Sequence, residues 1–177
     1  MRAIILLILA FGSTAGWAQP ASMNQSVQSI GAGPFEIPIS GSFNFSREGG
    51  ATVLVTPDDK LRITIGFFRN PAATGEASAQ VSKVESIVQR SWERFAAEEK
   101  GRVVRSFKKE TLPNGLSVFS MATEFQAQGE VQYYVEFAVT DGSQVASLFL
   151  EGLGSAARAF NEFEPKVHGV KKVPASK

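Results

Sequence analysis

The sequence predicts an α/β protein of the α+β kind, an antiparallel β-sheet flanked by one long helix and by a C-terminal helix. Three observations carry this. Apolar residues repeat at steps of three and four in two stretches, one long (Ala77 to Glu99) and one short (beginning at Ser155). Much of the remainder alternates with a period of two, as strands with one dry face do. The links between alternating runs are short and rich in Asn, Asp, Gly and Pro, so neighbouring strands join as hairpins.

Taken in order, the chain opens with an address rather than an element of the fold. Met1-Arg2 supplies a positive charge, Ile4 to Phe11 (IILLILAF) is unbroken apolar sequence, and Gly16 and Ala18 are the small residues a signal peptidase requires. Cleavage is expected before Gln19. The apolar run is far short of the roughly 18–20 residues that cross a bilayer. Residues 1–18 therefore read as a signal peptide, and the processed protein is expected to be periplasmic or secreted. Gln19 to Gly33 is polar and small, a flexible leader (19–33). Residues 34–168 are expected to form a single domain, and 169–177 a solvated basic tail.

Phe35-Glu36-Ile37-Pro38-Ile39 alternates weakly, and Pro38 is expected to hold it at a sheet edge. Phe43 to Phe45 adds a few extended residues. Ala51–Thr56 and Leu61–Phe68 are strands joined by Pro57-Asp58-Asp59-Lys60, where Pro presets the turn and Asp bonds to nearby backbone. In the second strand Leu61, Ile63, Ile65 and Phe67 share a face, opposite Arg62, Thr64 and Phe68. Asn70 to Gly75 breaks the pattern. Val81, Val84, Val88, Trp92 and Phe95 then form the stripe of the long helix, with Trp92 expected in the core and Gly101 as the stop. Val103–Thr111, Leu116–Phe125, Val131–Thr140 and Gln144–Glu151 follow as strands. Ser155 caps the last helix, whose stripe is Ala156, Ala159, Phe160 and Phe163 and which Pro165 is expected to end.

Composition narrows the function. Removing 18 residues from 177 leaves 159, enough for one domain with a self-sufficient core. There is no cysteine, so no disulfide supports the exported chain and no lipid-modified cysteine stands at position 19. The processed chain carries 17 basic and 17 acidic residues, and this balance argues against nucleic acid as a partner.

Site chemistry is thin. Gly152-Leu153-Gly154-Ser155-Ala156-Ala157 fits G-x-G-x-x-A between a strand and a helix, yet too little chain remains for the second parallel strand of a dinucleotide fold. It reads as a tight turn, so no cofactor is expected. His168 is the only histidine and sits in the expected tail, which speaks against a metal centre or a catalytic triad. Asp58 and Asp59 belong to a turn, and Glu136 and Glu151 lack a surrounding acid–base signature. No enzyme activity is expected.

What remains is a surface. On the less apolar sheet face Arg62 and Tyr134 would stand with Glu136, Phe119 and Met121, and Arg and Tyr on an apolar ground are frequent interface anchors. The competing reading is that the C-terminal helix covers this face.

The order of elements resembles the Mog1/PsbP-like α/β/α sandwich. The segments concerned are Phe35-Glu36-Ile37-Pro38, the Leu61–Phe68 strand, the helix Ala77–Glu99, the pair through Asn114-Gly115 and Gln132-Tyr133-Tyr134, and the strand-Gly-x-Gly-helix ending 147–163. The resemblance implies a mostly non-enzymatic relationship: photosystem accessory proteins, a nuclear-transport GTPase-binding factor, bacterial envelope proteins, and immunity-type partners of secreted toxins. It carries over no functional residue. Two functions are thus expected to compete. One is a periplasmic protein-interaction module, an immunity or accessory protein for a secreted protein. The other is a carrier of a small apolar ligand, housed between the long helix and the sheet.

Overall fold

In chain order the elements are β1 (Asn24–Val27), β2 (Ile30–Ala32), β3 (Phe35–Ile37), β4 (Gly41–Glu48), β5 (Ala51–Val55), β6 (Leu61–Arg69), α1 (Ala77–Glu98), β7 (Arg102–Thr111), β8 (Ser117–Ala127), β9 (Glu130–Thr140), β10 (Gln144–Leu153), α2 (Ala156–His168) and β11 (Lys171–Lys172). The computed structural model describes residues 24–27, 29–70, 75–127 and 129–173. The signal segment 1–18, the junction before Gln19 and the last residues of the basic tail lie outside them.

Eight strands form one antiparallel sheet in the order β1-β4-β5-β6-β10-β9-β8-β7. Two meanders build it, β4–β5–β6 and β7–β8–β9–β10, joined where β10 lies beside β6. The first meander ends in the middle of the sheet and the second begins at its far edge. The connection must therefore cross one face, and α1 is that connection. It packs on β7, β8 and β9, while α2, leaving β10 by a tight turn, packs on the same strands from the opposite face. The result is an α/β/α sandwich.

A second, three-stranded sheet in the order β11-β3-β2 extends the α2 layer and corrects three expectations. Part of the segment read as a mobile leader is strand, with β1 paired to β4 and β2 paired to β3. Part of the basic tail pairs with β3 as β11, and Lys172 Nζ lies 2.7 Å from Asp141 Oδ2. β3 is the middle strand of its sheet rather than an edge. Pro38 follows the strand, so its missing N–H costs the ladder nothing. β2 and β3 turn Ile30, Ala32, Phe35 and Ile37 into the core, but three residues are too few for a period to stand out in sequence. β11 is two exposed lysines joined by backbone pairing.

The core divides at the large sheet. On the α2 side Ile63, Ile65, Val135, Phe137, Leu148 and Leu150 meet Phe160, Phe163 and Val167, together with Phe35 and Ile37 of the small sheet. On the α1 side Val84 and Val88 pack on Phe119, Ala138 and Val145, with Val81, Trp92 and Phe107 at the margin. Trp92 is half-buried rather than central, its ring 5.9 Å from that of Phe107.

The helix ends also differ from expectation. α1 stops through Lys100, which takes the positive φ itself (54°). Gly101 is needed for space instead, since a Cβ there would lie 2.3 Å from Thr123 Cγ2. α2 runs through Pro165 to His168. The proline is exposed, and the carbonyl it leaves without a helical donor belongs to Asn161, also exposed, where water can bond it. Phe163 and Val167, on the buried stripe either side, hold the helix on the core.

Candidate functional site

The register assembles the expected sheet surface residue by residue. Arg62, Glu151, Tyr134 and Thr123 form one row across β6, β10, β9 and β8. Thr64, Phe149, Glu136 and Met121 form the next, and Phe119 stands opposite Ala138 in the one after. These side chains share a face, as the alternation requires.

That face is covered, and by α1 rather than by the C-terminal helix. Phe119 is 0% exposed, Met121 1%, Glu136 5% and Tyr134 7%. The Phe95 ring of α1 lies 5.3 Å from Tyr134 and 6.0 Å from Phe149. Burial, with the nearby Glu151 and Glu99 carboxylates, pushes the Tyr134 hydroxyl up to about 12. Desolvation raises Glu136 to about 8, so its carboxyl is mostly protonated at neutral pH. Arg62 stays half-exposed at the margin, its guanidinium 2.6 Å from Glu48 Oε2. Four of the five expected surface residues are thus core, because the crossover from β6 to β7 lays a helix over them.

An open concavity lies on the other face, between α2 and the edge strand β7. It is a groove of about 450 Å³ lined by Val104, Arg105, Lys108, Phe160, Asn161 and Glu164, among others. The register of β7 against β8 shifts twice, between Val103 and Arg105 and between Arg105 and Lys108. Such irregularities interrupt the regular edge and disfavour addition of a further strand. The Arg105 guanidinium carbon sits 5.9 Å from the centre of the Phe160 ring. Beyond Lys108, three groups converge from the two elements. Glu110 of β7 and Glu164 and His168 of α2 bring one ligand atom each within 4.8 Å of one another. His168 Nε2 is 3.0 Å from Glu110 Oε2, and Lys108 Nζ is 2.8 Å from Glu110 Oε1. The hydrogen bond with Lys108 is the main influence holding the Glu110 carboxyl below its ordinary range.

No protein-family model matches the chain, and no curated protein matches it in sequence. Solved structures do match. The cyanobacterial PsbP protein CyanoP from Synechocystis sp. PCC 6803 superposes with a TM-score of 0.59 over 91% of this chain and 98% of its own, at 10% identity. LpqN, involved in cell envelope biogenesis of Mycobacterium tuberculosis, gives 0.55 over 79% and 83%, at 13% identity. The fold is Mog1/PsbP-like. A protein from Bacteroides thetaiotaomicron also matches at 0.50 and 14% identity, although this chain spans only 51% of it. Identities this low establish shared architecture and assign no activity.

Within the Mog1/PsbP-like sandwich the remaining sequence candidates are structural. The Gly-x-Gly stretch is the turn from β10 into α2: Gly154 takes a φ of 107°, and a Cβ on Gly152 would lie 2.5 Å from the Tyr133 hydroxyl. Ser155 accepts the Arg158 N–H as the helix cap. Asp58 accepts the Thr56 hydroxyl at 2.7 Å within the β5–β6 turn. Among the described residues no helix is long and apolar enough to cross a membrane. The groove escaped the sequence reading because its walls, β7 and α2, lie far apart in the chain. The spacing of Glu164 and His168, four residues apart on one helix face, was the one available signal. Taking Pro165 as the helix end concealed it.

Proposed function

We propose that this chain is an exported, non-enzymatic accessory protein of the bacterial envelope that binds another protein through the groove between β7 and α2. The observation that carries the reading is the groove's make-up. An exposed arginine held over the buried Phe160 ring, with Lys108, Asn161 and Glu164 beside it, presents hydrogen-bonding groups of both charge signs on a concave surface. The signal-like first eighteen residues and the architecture shared with LpqN, itself involved in cell envelope biogenesis, support the compartment. Protection or escort of a secreted protein is the finer form of the same reading. The carrier alternative gains little, because Phe95, Tyr134, Phe149 and Phe119 occupy the layer between α1 and the sheet where its cavity was expected.

The test has two parts. Intact mass of the protein from a periplasmic fraction should match a chain beginning at Gln19, and a full-length cytoplasmic species would refute export. Partner capture from envelope extract should then be lost in Arg105→Ala/Asn161→Ala with the melting temperature little changed. Both positions are exposed, where substitutions shift stability by less than about 0.5 kcal/mol. Arg62→Ala, on the opposite face, serves as the control. Equal capture by wild type and the groove variant would refute the groove, and loss confined to Arg62→Ala would return the interface to the α1 side.

A further inference from the structure

We infer that Glu110, Glu164 and His168 form a binding site for one divalent transition-metal ion of the zinc class. The inference does not rest on the protein-binding reading above, although Glu164 belongs to both the cluster and the groove. Two rigid elements set it. Glu164 and His168 lie one helical turn apart on the same face of α2, and Glu110 faces them from β7. A tetrahedral ion with N and O ligands at about 2.0–2.2 Å holds its donor atoms roughly 3.3 Å apart. The His168 Nε2 to Glu110 Oε2 separation is already 3.0 Å, and all three donors lie within 4.8 Å of one another. Closing the set takes a side-chain adjustment and leaves the backbone where it is.

The chemistry of the set selects the ion. One imidazole nitrogen with two carboxylate oxygens suits a borderline cation, whereas calcium and magnesium favour larger all-oxygen shells. Two carboxylates balance the charge of a dication. Lys108 engages the other oxygen of Glu110, Oε1, at 2.8 Å. It therefore orients this carboxylate from outside, as outer partners of metal ligands do, and leaves Oε2 turned toward His168. His168 and Glu110 are each about one-third exposed, so an ion has a path in. Three protein ligands leave a fourth position for water or an incoming donor, and Glu164 also lines the groove, so that position would border it.

The experiment uses the full chain without an affinity tag, stripped with chelator and titrated calorimetrically with zinc chloride at neutral pH. One ion should bind saturably and raise the melting temperature, since a ligand that binds only the folded state stabilises it. Magnesium chloride should do neither. His168→Gln and Glu110→Gln should each weaken zinc binding by more than about tenfold, the lower bound set by losses of mere outer-shell partners. Glu162→Gln, an acid of the same helix paired with Lys166 and outside the cluster, should bind as wild type does. Because a ligand variant can lose binding by unfolding, cobalt(II) chloride on the wild-type protein gives a second reading: intense visible bands of a four-coordinate ion. Absence of saturable zinc binding overturns the inference. So does binding that persists in both ligand variants, or a cobalt spectrum of the weak six-coordinate kind.

Discussion

Glu136 stands in the middle of β9, closed in by Met121, Phe149 and α1, and none of the described residues gives its carboxyl a hydrogen bond. Its folded pKa of about 8 lies above the ordinary 4.5, so the folded state holds the proton more tightly than the unfolded one. Below 4.5 both states are protonated and the group adds no pH dependence to stability. As pH rises from 4.5 to about 8 the unfolded chain loses its proton first, and stability falls across that window. Glu136→Gln keeps the shape and removes the titration. Urea unfolding of the two proteins should therefore coincide near the acid end and diverge by on the order of 3–5 kcal/mol at the alkaline end, the variant being the more stable. Parallel curves would mean that the carboxyl is solvated. Gly101 makes the opposite case, a position where one added methyl is too much. Gly101→Ala should lower stability by about 1–3 kcal/mol through overpacking against Thr123 and Phe125, read as a lower urea midpoint at unchanged slope.

α2 carries an exposed proline ten residues into its length, and its tertiary contacts keep it helical nonetheless. An interior proline is about 3 kcal/mol less favourable than alanine in a helix. Pro165→Ala restores a donor for the Asn161 carbonyl, and part of that gain is lost because the unfolded chain becomes freer. A net stabilisation of about 1–3 kcal/mol is expected in chemical denaturation, and a loss of stability would show that the proline ring packs where this structure exposes it. The same helix shows how local signals mislead. Its apolar stripe and Ser155 cap were plain in the chain, but its length was not, because a buried Phe163 and Val167 outweigh a proline whose missing bond falls toward water.

The small sheet ties the two ends of the described chain to one another. β11 pairs with β3, Val173 N–H reaches the Pro34 carbonyl at 2.7 Å, and Lys172 meets Asp141 in the β9–β10 turn. Burial alone would raise Asp141, but its bonds from Lys172, Gln144 and Ser143 carry it down to about 2. Truncation after Val170 removes the strand and the ion pair together. A loss of about 1–2 kcal/mol, or several degrees in Tm for a domain of this size, is expected with a still cooperative melt. An unchanged Tm would show that these contacts contribute nothing to holding the small sheet.

Period-two runs, the long apolar stripe and the Asn-Gly and Asp-Gly turns were readable from the chain, because each reflects burial on one face or a single residue's φ. They were enough to specify a mostly antiparallel sheet with two helices and even the set of side chains sharing the Arg62–Tyr134–Glu136 face. Which helix covers that face was not readable. Alternation says only that Glu136 points away from Val135, and a polar residue in a strand reads as solvent-facing whether or not a crossover lies on top. Strands β1, β2 and β11 are two to four residues long, too short for a period to be read from them. The Glu110–Glu164–His168 cluster needed β7 and α2 brought together across more than fifty residues. Local chemistry, written residue by residue, thus chose the elements. Their covering, and every contact that makes a groove or a site, came from the path of the chain between β6 and β7 and around β10, which only the packed core selects.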